Sequence, residues 1–150
     1  MKKLQKDQKG FTIIEVMIVL VIAAVILLIV FLAVPALQRN ARNTSRKNEA
    51  AAVLAAAGEF SGNKNGQIPV SADADEIESL ANVKDYTGLV IQAETGTTVP
   101  TTFNIAVLRT GAKCNSANNE TDPGVSTRQI ALLYPVEKSD GSIQVVCQAS

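Results

Sequence analysis

The chain has 150 residues, with 14 Lys+Arg balanced by 14 Asp+Glu and no histidine, a length that suits one domain with appendages. A formal charge of zero removes the cation excess that non-specific nucleic-acid binding requires, and no specific nucleic-acid site is evident. Without histidine, Ser-His-Asp and Cys-His catalysis cannot be built, and two cysteines cannot make a tetrahedral N/S zinc site, so neither enzymatic activity nor a cofactor or metal is expected.

Lys2, Lys3, Lys6 and Lys9 against Asp7 leave the first ten residues with an excess of three positive charges, as in a cytoplasmic flank. Val16 to Leu37 follow, 22 residues without a charged side chain. As a helix rising about 1.5 Å per residue this run spans roughly 33 Å, the depth of a bilayer's hydrocarbon core. A secretory signal also opens on lysines, but its apolar region is about 7 to 15 residues and ends at a small-x-small site. Arg39, Arg42, Arg46 and Lys47 after the span match the four lysines before it, so charge alone does not orient the helix. The cysteine-bearing mass beyond it favours an outside carboxyl end.

Glu15 interrupts the apolar stretch that opens at Phe11. An ionisable group at membrane depth is costly without a partner and is a functional candidate; its bland alternative is a carboxylate reaching back to the headgroups. The residues Lys9-Gly10-Phe11-Thr12-Ile13-Ile14-Glu15 resemble the class III leader junction of type IV prepilins. That family has a short basic leader ending in glycine, then phenylalanine, glutamate as the fifth mature residue, and about twenty apolar residues. The resemblance covers about Lys2 to Leu37. It implies that residues 1–10 are a leader removed between Gly10 and Phe11, that a membrane prepilin peptidase/methyltransferase also methylates the new Phe11 amine, and that residues 11–37 form a transmembrane and later filament-core helix.

Cleavage would create a cation at the depth of Glu15, since an α-amine has a reference pKa of about 7.7 to 8.0 and a methylated one keeps its charge. Paired across neighbouring subunits, amine and carboxylate would set axial register more than net stability, because burying both ions offsets much of their attraction. An i,i+4 pair within one helix is the competing geometry. The family's usual proline is matched by Pro35, about three positions late, and its midway glycine is replaced by Ala23 or Ala24. Pro35 predicts a kink between Phe31 and itself.

Ala50, Val53, Leu54, Ala57 and Phe60 recur at three- and four-residue steps, so residues 38–61 continue the same helix with one apolar face, stopped by Gly62-Asn63 and Asn65-Gly66. Arg39, Arg42 and Arg46 share a face above the membrane. They read as a solvated, headgroup-facing stripe or as intersubunit partners of Asp73, Asp75, Glu76 or Glu78. With Phe11, Glu15 and Pro35 they complete the residues expected to matter for subunit assembly.

Residues 62–150 are the expected globular head. Asp73 as N-cap and Glu76 at N3 predict a capping box and a short helix through about Ala81, with Ile77, Leu80 and Ala81 inward. Four strands are expected at Gly88 to Ala93, Thr102 to Arg109, Thr127 to Val136 and Ser142 to Gln148. Asp140-Gly141 marks a hairpin between the last two. The predicted fold class is α+β: a long N-terminal helix packed on one face of a C-terminal antiparallel sheet of about four strands, the pilin fold.

Cys114 and Cys147 in an exported chain suggest one disulfide, as in many pilins, against the alternative of two buried thiols. Asn118, Glu120 and Asp122 in the Asn115 to Pro123 segment could offer oxygens to calcium, but without EF-hand spacing the segment reads as a polar loop. The glycosylation sequons are Asn43-Thr44-Ser45 and Asn119-Glu120-Thr121.

The resemblance implies a structural subunit that polymerises into a helical homo-oligomer, a type IV pilus serving adhesion, motility or DNA uptake. Its partners would be the prepilin peptidase, an assembly platform and a motor ATPase, with the cytoplasmic membrane as lodging before assembly and an extracellular filament afterwards. A pseudopilin of a type II secretion or competence apparatus shares the whole signature. A signal-anchored ligand-binding protein is the reading from a different class.

Overall fold

The computed structural model describes residues 10–83, 86, 88–93, 95–115, 119–124, 126 and 128–150. The leader ahead of Gly10, Asn118 of the oxygen-ligand set and Thr127 at the head of the third expected strand lie outside them. The chain forms two compact units, Met1–Gln38 and Arg39–Ser150.

Helix α1 runs Ile13–Asn63, starting and stopping two residues later than the sequence suggests, and its helical backbone continues through Pro35. In the first unit its side chains from Ile13 to Val34 are all exposed, including Ile13, Leu20 and Phe31. Its most apolar 18-residue window has a mean hydropathy of 3.6 and none of it is buried, so the helix is long and apolar enough to cross a membrane. The alanine-rich stretch from Ala50 to Ala57 favours helix, whereas the many β-branched Ile and Val positions ahead of Pro35 are weaker helix formers.

In the second unit the expected apolar face is the buried one: Ala50, Val53, Leu54, Ala57 and Phe60 are all buried. Helix termination follows the asparagine–glycine signal. Asn65 and Gly66 take positive φ, 57° and 83°, and the Gly66 N–H donates to Ser61 O at 2.7 Å, a left-handed exit that satisfies a last-turn carbonyl.

Helix α2, Ala74–Ala81, follows a 3-10 turn at Ser71–Asp73. The expected capping box is displaced by one turn. Asp73 makes no side-chain bond into α2; its carboxylate accepts from Val70 N–H at 2.9 Å, because the 3-10 turn places Asp73 at that turn's own third position. Ile77 is buried as expected, whereas Leu80 is exposed, a correction to the predicted inward face. Asn82 ends the helix in the left-handed region with φ 49° and donates to Glu78 O.

Six strands follow among the described residues: β1 Gly88–Ala93, β2 Ile105–Thr110, β3 Ala112–Asn115, β4 Glu120–Pro123, β5 Ile130–Glu137 and β6 Ile143–Ala149. Four form a sheet in the order β1-β2-β5-β6, and β3-β4 form a separate antiparallel pair. The sheet is mixed, not antiparallel throughout: β1 pairs with β2 in parallel, Leu89 opposite Ala106 and Ile91 opposite Leu108. The segment from 94 to 104 is long enough to carry the chain back to the starting edge, and it holds Pro100 where a hairpin would need a two- to five-residue turn. The β5–β6 hairpin is as read from Asp140-Gly141, with Gly141 at φ 81°.

Both faces of the central strands are covered, although one buried face was expected. Ala106, Leu108, Ile130, Leu132 and Tyr134 join the α1 residues in one core. Val107, Ala131 and Leu133 are buried on the opposite face. In β6, Val146 is the residue that packs toward the α1 core; Val145 and Cys147 alternate to the other side.

Candidate functional site

The amino-terminal site is built from the first turn of α1. Thr12 precedes the first helical residue, and Glu15 stands three positions on. Glu15 Oε2 accepts from Thr12 N–H at 2.9 Å and from Thr12 Oγ1 at 2.8 Å, while Glu15 N–H donates to Thr12 Oγ1 at 3.3 Å. These reciprocal bonds are a capping box, with a carboxylate at the helix's positive end. Sequence reasoning treated Glu15 only as a charge and missed it, although Thr-x-x-Glu is the signature. Two of the three bonds use one carboxylate oxygen, Oε2, and Oε1 has no bond among the described residues. Gly10 and Phe11 lie just ahead, both exposed, Phe11 by 90%. Pro35 is exposed within α1.

The arginine stripe is divided by environment. Arg42 pairs with Glu137 at the end of β5, Nη2 to Oε2 at 2.8 Å and Nε to the same oxygen at 3.0 Å. Arg46 is buried, 9% exposed, with its guanidinium carbon 4.4 Å from the Phe103 ring centroid. Its carbonyl accepts from the Tyr86 hydroxyl at 2.9 Å. The expectation of a solvated stripe therefore fails at Arg46, because the helix face that carries the apolar stripe also carries this position. Arg39 has no ion-pair partner among the described residues. None of the three meets Asp73, Asp75, Glu76 or Glu78 within this chain.

Asn43 was not singled out for structure. Its carboxamide accepts from Glu137 N–H at 2.8 Å and donates to Glu137 O at 2.9 Å, imitating a strand neighbour at the end of β5. Both amide atoms of this sequon are thus engaged by the Glu137 backbone.

Cys114 and Cys147 form a disulfide with their Cα atoms 5.6 Å apart. The bridge ties β3 to β6 on the sheet face opposite α1. The segment read as a loop, Asn115 to Pro123, contributes β4 and the last residue of β3, with Cys114 facing Thr121 and Lys113 facing Asp122. The Asp122 carboxylate accepts from Asn115 Nδ2 at 3.1 Å. No group of three or more metal-ligating His, Cys, Asp or Glu occurs among the described residues.

Residues 5–31 match the family model of the prokaryotic N-terminal methylation motif. The chain carries, in that stretch, the class III prepilin leader signature of type IV pilins and pseudopilins. The motif supports a pilin or pseudopilin class, and with it processing by a prepilin peptidase and membrane anchoring of the precursor. No curated protein and no solved structure matches the chain.

Proposed function

We propose that this protein is a structural, non-enzymatic pilin subunit. Its leader is cut between Gly10 and Phe11, Phe11 becomes N-methylated, and residues 11–37 pass from the cytoplasmic membrane into the core of an extracellular type IV pilus, with the head tiling the outside. One observation carries the reading: the methylation motif at residues 5–31 runs into an apolar helix whose side chains have no cover within the chain. Lipid covers that surface before assembly, and copies of the same helix cover it afterwards. At about 25 cal/mol per Å² of apolar area, leaving such a surface in water is prohibitive.

In the assembled filament Glu15 has two tasks. Oε2 caps its own helix, and Oε1 is available to the Phe11 ammonium of an adjacent subunit. Arg39, at the start of the second unit, is the member of the stripe offered to neighbours or headgroups. The assembly platform and a motor ATPase supply the work of extraction from the bilayer.

Filament yield from cells carrying Glu15→Ala tests the proposal. The variant should insert and be processed but yield sheared surface fibres at least about tenfold below the wild type, the loss expected for removing one partner of a buried charge pair. Normal fibre length and abundance would contradict the pairing. Electron microscopy of those fibres also separates this subunit from a pseudopilin, which would give short periplasmic assemblies in place of long surface ones.

A further inference from the structure

The sheet face opposite α1 holds a charged cleft unrelated to the amino-terminal site. Its volume is about 640 Å³, and it lies between β4, the segment at 96–99, and the outer sides of β5 and β6. That is within the range of small-molecule sites. Arg109 of β2 lines it and is only 7% exposed.

The arginine is held but not neutralised. Nη2 donates to Thr98 O at 3.0 Å and Nη1 to the Thr121 hydroxyl, both uncharged acceptors. Two of five guanidinium N–H groups are thereby used, and Nε is buried with no partner among the described residues. No carboxylate forms a salt bridge with it among the described residues. Burial pushes its pKa down, and the charge of Glu120 pulls it back up. Apart from the charge of Glu120, this buried cation is fixed by neutral acceptors alone, which leaves it under-compensated. It is a good receptor for an anion.

The remaining lining specifies which anion. Lys138 and Glu120 also line the cleft, so its three ionised lining groups sum to one positive charge and suit a monoanion better than a dianion. A planar guanidinium matches a carboxylate's two oxygens. Asn119 and Gln144 add carboxamides, which donate and accept, and Glu120 adds an acceptor for hydroxyl groups. Leu133 and Val145 supply an apolar floor for the C–H face of a ring.

We propose that this cleft binds a polyhydroxylated monocarboxylate of sugar-acid size, its carboxylate on Arg109 and Lys138 and its hydroxyls on Glu120 and the two carboxamides. The site is independent of the amino-terminal chemistry, so its failure would leave the filament reading untouched.

Two-dimensional NMR of the full-length protein in detergent micelles, titrated with D-glucuronate, tests it through the Arg109 Nε–H resonance and the amides of Glu120 and Val145. Saturable shifts are expected, with glucose binding at least about tenfold more weakly, the worth of a charge-assisted hydrogen bond. Lys138→Gln, at an exposed position, should weaken glucuronate about threefold, and Arg109→Gln should abolish binding while amide dispersion is retained. Glu120→Gln should narrow the preference for glucuronate over glucose 6-phosphate. Equal binding of glucose and glucuronate, absence of saturation, or indifference to Lys138→Gln would each overturn the proposal, as would tighter binding of glucose 6-phosphate than of glucuronate by the unaltered protein.

Discussion

Glu15 illustrates how one residue supports two explanations that a single substitution to alanine cannot separate. Its carboxylate caps α1 through Thr12, and its charge is available for an ammonium. Glutamine keeps the cap, since a carboxamide oxygen accepts from the same N–H, and removes the charge. Fibre yield with Glu15→Gln should therefore fall nearly as far as with Glu15→Ala, whereas recovery to the wild-type level would assign Glu15 to capping alone. The glutamate stood out in the sequence because a lone acid in an apolar run is conspicuous; its hydroxyl partner was equally legible as Thr-x-x-Glu but was passed over because Glu15 was weighed only as a charge. Asp140 gives a second test at this scale. The Ser142 hydroxyl and N–H, bonded to Asp140 Oδ1 at 2.6 and 2.9 Å, hold its carboxyl below the usual aspartate value. With the folded pKa below the unfolded one, the turn's stabilisation is in place above about pH 4 and is lost as pH falls through the folded value. Hydrogen exchange at Ser142 should accelerate over that acid limb, and Asp140→Asn should flatten the dependence.

At the scale of elements, α1 and the β5–β6 hairpin were legible because each carries its own local signal, a 3.6-residue apolar period in one and an Asp-Gly turn in the other. The parallel pairing of β1 and β2 was not legible, since strand direction across a long connection is fixed by tertiary packing and leaves no mark on alternation. The β3–β4 pair was hidden for a related reason: Glu120-Thr121-Asp122 of β4 carries no apolar alternation and takes its strand geometry from β3, with the Arg109 bond to Thr121 from β2 holding it further. Both faces of β2 proved buried because that pair and the disulfide cover the side away from α1. Replacing Cys114 and Cys147 together by serine should cost about 3 to 4 kcal/mol, as for closing a loop with 33 residues of separation. Chemical denaturation would register the loss, and amides of Lys113 and Thr121 should lose exchange protection before those of Leu108 or Leu132. Uniform loss across the sheet would show that the bridge supports the whole head and not the hairpin.

For the whole molecule, the two units answer to different solvents. The second closes its own core around Phe60, Ile77, Leu108 and Leu132 and uses Asn43 and Arg42 to fasten β5 to α1. The first buries nothing of its most apolar window and depends on lipid or on other copies. The proposed filament requires that the leader be removed, because no ammonium would otherwise form beside Glu15. Intact mass and amino-terminal sequencing of the membrane-extracted and fibre-borne protein decide this directly. The account predicts a mature chain that begins at N-methylated Phe11 in both fractions, and a chain that still begins at Met1 would contradict it.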